Sequence, residues 1–79
     1  MDDRALELVR FIAESLVIEK DEVRVRMIER DRAVVLELSV APDDMGRVIG
    51  KQGRIAKAIR TVVKAASAKG SKKYTVEIL

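Results

Sequence analysis

Apolar residues along this chain switch between a helical and a strand period, and the switches mark out six elements. Over residues 3–18, Ala5, Leu6, Val9, Ile12, Ala13, Leu16 and Val17 fall at helical spacing and make one broad apolar face. Glu7, Arg10 and Glu14 take the opposite side, and Asp2 and Asp3 suit a cap at the positive helix end. Leu8 and Phe11 lie at the edge of the apolar face. They admit two readings, packing on the margin of a sheet or a surface for another protein. Residues 22–28 alternate, with Val23, Val25 and Met27 between charged positions, which predicts a half-buried strand. Residues 29–32 contain no glycine, so a loop of about four residues is expected rather than a tight turn. Residues 33–40 make a second strand with Val34, Leu36, Leu38 and Val40 on one face. Val35 points the other way and predicts that part of that face is covered too. The two strands should pair as an antiparallel hairpin.

Ala41 and Pro42 end the second strand, because proline has no N–H for a ladder. Asp43 and Asp44 then favour a helix start by capping. A short helix over residues 43–49 carries Met45, Val48 and Ile49 and stops at Gly50. After Gly53 a long helix runs over residues 54–69, with Ile55, Ile59, Val62 and Ala66 as its buried stripe and Ala58 beside it. Lys57, Arg60 and Lys64 lie about 160° around the wheel from that stripe. Gly70 suits a left-handed cap, with Lys69 at the negative helix end. Residues 73–79 form a last strand with Tyr74, Val76 and Ile78 inward. The fold class is α+β, in the order α-β-β-α-α-β: a three-stranded sheet with three helices packed on one face, in a single domain over residues 1–79.

Composition narrows the chemistry. A chain of 79 residues buries only roughly 60–65% of its unfolded surface, so the core is thin. There is no cysteine and no histidine, which removes thiolate metal sites, disulfides and the usual general base. No paired carboxylate sits near the glycines at 50 and 53. Neither an enzyme nor a metal or cofactor site is therefore expected. No apolar run approaches the roughly 20 residues of a membrane span, and the chain reads as cytoplasmic. Charge is unevenly spread. Residues 1–44 hold seven basic and twelve acidic side chains, whereas residues 45–76 hold nine basic and none acidic. A block of that kind is the footprint of a polyanion partner.

The first part of the block holds Gly50-Lys51-Gln52-Gly53, between the two later helices. A nucleotide-hydrolase phosphate loop does not fit. The stretch from Gly46 is one residue short, Gln52 stands where Ser or Thr would hold magnesium, and a helix rather than a strand precedes it. A structural turn would explain the glycines but not Lys51 at the tip, flanked by Arg47, Arg54 and Lys57. A bare turn also lets a sugar-phosphate chain approach the backbone closely, with the amides and positive end of the next helix beside it. That is how a KH domain clamps about four nucleotides.

The stretch from Val48 to Ile55 resembles the V-I-G-x-x-G-x-x-I core of a KH domain, with the isoleucine one position earlier than that spacing. The element order is similar to the type II, prokaryotic arrangement. The whole chain resembles the small single-KH bacterial RNA-binding proteins of the KhpA family, including its segments 40–46 and 49–60. That resemblance implies binding of single-stranded RNA, as an RNA chaperone or post-transcriptional regulator. It also implies a homodimer or a complex with a larger KH-containing protein of the KhpB (Jag) family. The clamp carries over to Gly50, Lys51, Gln52 and Gly53, with Arg47, Arg54 and Lys57 as adjoining RNA-binding residues. Candidate groove residues for the bases are Ile49, Ile55 and the 33–40 strand, although in a chain of this length most of them are expected in the core instead. No aromatic is near the motif in sequence, so binding should be weak, charge-dominated and poorly selective. The competing reading is a protein–protein module that uses the fold to dimerise or dock.

Overall fold

In the computed structural model, residues 4–79 are described. The elements are α1 (Arg4–Leu16), β1 (Arg24–Glu29), β2 (Ala33–Ser39), α2 (Met45–Ile49), α3 (Arg54–Ala66) and β3 (Lys73–Ile78). Short 3-10 turns at Lys20–Glu22, Pro42–Asp44 and Lys51–Gly53 join them. The cap expected from Asp2 and Asp3 lies outside the described residues. The α-β-β-α-α-β order and the α+β class hold.

The sheet order is β1-β2-β3. β1 and β2 form the antiparallel hairpin, with Met27 opposite Leu36 and Glu29 opposite Val34. β1 runs through Glu29, so the loop is three residues, closed by the Arg30 N–H donating to the Ala33 carbonyl at 2.8 Å. β3 lies parallel to β2, with Val76 beside Leu36. A parallel partner requires a long crossover, and α2 and α3 supply it.

The period-two pattern decides which side of the sheet is covered. Val34, Leu36 and Leu38 on β2 are at most 1% exposed and meet Val9 and Ala13 of α1 and Ile59 and Val63 of α3 in one core. α2 adds Val48, which is fully buried. On the opposite face, Ile28, Val35 and Thr75 stand side by side across the three strands. Val35 is half-buried there beside its row neighbours, on a face to which the core does not extend among the described residues, so the cover over it is partial.

α3 is turned relative to the predicted stripe. Its buried residues are Ala56, Ile59 and Val63, while Val62 is 44% exposed and Ala58 and Ala66 are exposed. The observed line is rotated by about 60° from the expected one at 100° per residue. Contact with the shared core sets the rotation, and the sequence carries no local trace of it. α3 also ends at Ala66, three residues early. Ser67 closes it with both its N–H (3.0 Å) and its hydroxyl (2.8 Å) donating to the Val63 carbonyl. A serine that bonds back to the helix backbone competes with continuation of the helix. Gly70 is not left-handed and caps nothing. No helix among the described residues is long and apolar enough to cross a membrane.

Candidate nucleic-acid interface

Between α2 and α3 the backbone makes three left-handed steps within four residues. Gly50 has φ 77° and ψ 174°, Gln52 φ 58° and ψ 25°, and Gly53 φ 74° and ψ 14°. The Gly50 conformation lies in a region that is essentially glycine's alone. A Cβ there would also come within 2.6 Å of Ile55 Cγ1. This explains the early isoleucine: Ile55 covers Gly50, and the smaller Ala56 takes the buried place on α3. Gly53 is a different case, because nothing lies within 4 Å of where its Cβ would be. It is needed for its angle, and it leaves the tip of the turn bare. The main chain closes the turn by itself. The Gly50 N–H donates to the Gly46 carbonyl (2.9 Å), Gly53 N–H to the Gly50 carbonyl (3.1 Å), and Arg54 N–H to the Lys51 carbonyl.

Lys51, Gln52, Arg54 and Lys57 are all exposed, and Gly50 and Gly53 are half-buried beneath them. Arg54 Nη2 donates to Gln52 Oε1 at 3.1 Å, so these side chains lie together over the turn. Arg47, on α2, pairs with Asp44 at the start of that helix, and Lys57 sits one turn along α3. Lys51 and Lys57 have no carboxylate partner among the described residues. The first turn of α3 contributes its positive dipole end here, with no side-chain cap on its amides. Gly50, Lys51, Gln52, Gly53 and Arg54 therefore gather at the start of α3, with Lys57 at the margin and Arg47 on the helix before the turn.

One residue was missed. Asp44 was expected to start α2 as a cap, but it makes no side-chain cap bond. Its carboxylate is 1% exposed and turned inward. Oδ1 accepts the Ile18 N–H at 3.1 Å, Oδ2 accepts the Glu19 N–H at 3.0 Å, and Arg47 Nε lies 3.2 Å from Oδ1. The Glu19 amide, then the Ile18 amide, with help from Arg47, hold this carboxyl below the usual carboxylate range, against the opposite pull of burial. The two amides lie 25 and 26 residues away in sequence, and the one local sign is the i,i+3 spacing of Asp44 and Arg47, which does not mark a buried carboxylate.

The groove is also placed differently. The expected strand, β2, is central and its inner side chains are buried, so it offers no surface to a base. Ile55 is half-buried against the core and Ile49 is 37% exposed. The strand with a free edge beside α3 is β3. Lys73 and Leu79 donate their N–H groups to the carbonyls of Arg32 and Leu38, so the odd-numbered residues turn their main chain to β2. Tyr74, Val76 and Ile78 consequently turn theirs to the open edge. Arg60 Nε donates to the Val76 carbonyl at 3.1 Å, so Arg60 lies against this edge rather than opposite the core. Arg60, Lys64, Lys73, Tyr74, Thr75 and Val76 line a shallow groove of about 370 Å³. Tyr74, half-buried against the core, borders this groove near Lys64, about 16 Å along the helix from Gly53.

Strand, short helix, left-handed glycine turn, long helix and parallel strand, preceded by a helix and a strand, define a KH domain of type II. The comparisons agree. The family model described as KhpA/KhpB, KH domain, matches residues 6–78, and the chain belongs to this family. It is 59% identical over 73 residues to RNA-binding protein KhpA of Clostridium perfringens, covering 92% of this chain and 97% of that one. RNA-binding protein KhpA of Caldanaerobacter subterraneus is 56% identical over the same shares. The Aquifex aeolicus protein of that name is 49% identical over 92% of each. No solved structure gives a significant match.

Proposed function

We propose that this chain binds single-stranded RNA, with the Gly50–Gly53 turn as a backbone clamp on about four nucleotides. The observation that carries this reading is the turn itself. Its left-handed geometry ends at a glycine with open space on its Cβ side, beside Lys51, Arg54 and Lys57, which have no carboxylate partner among the described residues. A phosphate has room to reach the main chain at Gly53 and the start of α3. Lys51, Arg54 and Lys57 supply attraction, and Arg47 adds a guanidinium. Bases then follow the groove between α3 and the open edge of β3, where main-chain groups of Tyr74 and Ile78 are available to them. The matching family and the names of the relatives support RNA as the ligand.

The cellular role in this reading is that of an RNA chaperone or post-transcriptional regulator. A domain that holds few nucleotides gains from a second site at high effective concentration. A homodimer, or a pair with a larger KH-containing protein of the KhpB (Jag) family, provides that second site. Phe11, 69% exposed on α1, is the feature that favours the alternative of a protein-docking module. One experiment separates the two. Lys51→Asp combined with Gln52→Asp should abolish RNA retention in a gel shift while circular dichroism stays that of the folded chain. Unchanged RNA affinity in that variant would leave the turn structural and the docking module ahead.

A further inference from the structure

α2 is only five residues long, far below the length at which a helix holds itself together. Its position must come from tertiary anchors, and it is the element that delivers the clamp. One anchor is Val48 in the core. The other is Asp44, at the start of the helix. Its two carboxylate oxygens take the main-chain amides of Ile18 and Glu19 at 3.1 and 3.0 Å, immediately after Val17, whose side chain is in the core. The same carboxylate lies 3.2 Å from Nε of Arg47, one turn along. The terminal guanidinium nitrogens of Arg47 have no partner among the described residues.

We infer that Asp44 is the positioning residue of the RNA clamp. Its buried carboxylate fixes α2 to the connection after α1 and grips Arg47 by Nε, leaving the guanidinium fork for a phosphate. Asp44 touches no RNA itself. It acts through the placement of Gly50–Gly53 and of Arg47, and the inference rests on the clamp reading above. An Arg held by one edge has lost part of its rotamer freedom before the ligand arrives, so less is lost on binding.

The test turns on a sign. Asp44→Asn removes a negative charge and takes the net charge from +3 to +4. Simple attraction then predicts tighter RNA binding, whereas loss of positioning predicts weaker binding. With a labelled single-stranded RNA oligonucleotide of mixed sequence, we expect the Kd of Asp44→Asn to rise about three- to tenfold. The measurement is made at a temperature where circular dichroism shows every variant folded. Met27→Ala, on the strand at the far edge of the sheet, serves as a control of lowered stability and should keep wild-type affinity. Amide NMR resonances of Gln52 and Gly53 should shift in Asp44→Asn and stay in place in Met27→Ala.

Equal or tighter binding by Asp44→Asn overturns the inference, as does an equal loss of affinity in both variants. If Asp44→Asn does not fold, Arg47→Lys decides. It keeps the charge but not the edge-held fork, so wild-type affinity there overturns the inference and a loss of about threefold supports it. Failure of the clamp reading is visible separately. In that case the Lys51→Asp, Gln52→Asp variant retains RNA, whatever Asp44→Asn does.

Discussion

The two ends of α3 are built from similar residues and do opposite things. Gly50-Lys51-Gln52-Gly53 precedes the helix, and Lys69-Gly70-Ser71-Lys72 follows it. Both stretches join a helix to its neighbour with glycine and lysine, and both belong to the acid-free block. At the first end three residues are left-handed, Gly53 faces open space and Lys51 has no carboxylate partner among the described residues. At the second end neither Gly70 nor any other residue is left-handed, and Lys72 Nζ pairs with Glu29 Oε2 at 2.9 Å. The short helix leading into the first end is tied at its start by a buried carboxylate, and the second end is joined at the surface by a half-exposed ion pair. Glycine and lysine alone therefore do not make an open turn: the left-handed backbone at the first end does.

Glycine replacement breaks this comparison with the largest effect. Gly50→Ala meets both the forbidden backbone region and Ile55 Cγ1 at 2.6 Å. It should cost roughly 2–5 kcal/mol and lower the thermal midpoint by more than about 10 °C. Gly53→Ala meets nothing within 4 Å and has only its left-handed angle to strain, at about 1–2 kcal/mol. Gly70→Ala has an ordinary φ and a Cβ position 3.4 Å from the Ser67 carbonyl, and should stay within about 0.5 kcal/mol of wild type. Thermal melts of the three variants should give that order. A Gly70→Ala loss as large as that of Gly50→Ala would remove the distinction between the ends.

Acid sharpens the comparison at the first end. The native Asp44 carboxyl is held below its unfolded value, so the native state binds its proton less readily than the unfolded chain does. Its contribution is present above about pH 4, near the unfolded value, and is lost as the pH falls through the lower native value. The thermal midpoint should fall between about pH 6 and pH 3, and it should fall less in Asp44→Asn. The same acid drop in Asp44→Asn as in the wild type would take Asp44 out of the acid response.

The contrast between the ends was only partly legible in the sequence, for physical reasons. The side of β2 that faces the core was readable because Val34, Leu36 and Leu38 alternate with polar or smaller neighbours. The glycine turn was readable because Gly50 and Gly53 interrupt an apolar, helix-compatible run. α3 was less so: Val62 and Val63 are adjacent and equally apolar, and only contact with the rest of the core chooses Val63. The groove strand was misplaced because sheet order is a long-range property, and β3 lies farther along the chain than the motif. Asp44 and Gly70 both looked like cap residues. Asp44 was recruited by amides of a distant connection, and Gly70 was pre-empted by Ser67, three residues earlier.

Lysine truncation at the two ends gives the smallest and most selective contrast. If Lys51 meets a phosphate, Lys51→Ala should weaken RNA binding and make its log–log salt dependence shallower by about 0.7, the value for one contact on a single strand. Lys72 is one-third exposed and satisfied by Glu29, so Lys72→Ala should leave both affinity and slope unchanged. Its cost should appear in stability alone, at about 0–1 kcal/mol, because an ion pair half in water is screened and holds two mobile side chains in one geometry. Titrations of both variants across a range of salt concentrations, beside their melts, test the pair together. Equal changes of slope would mean that RNA senses the whole basic block as a diffuse charge. A change confined to Lys51→Ala would mean that it senses the open turn.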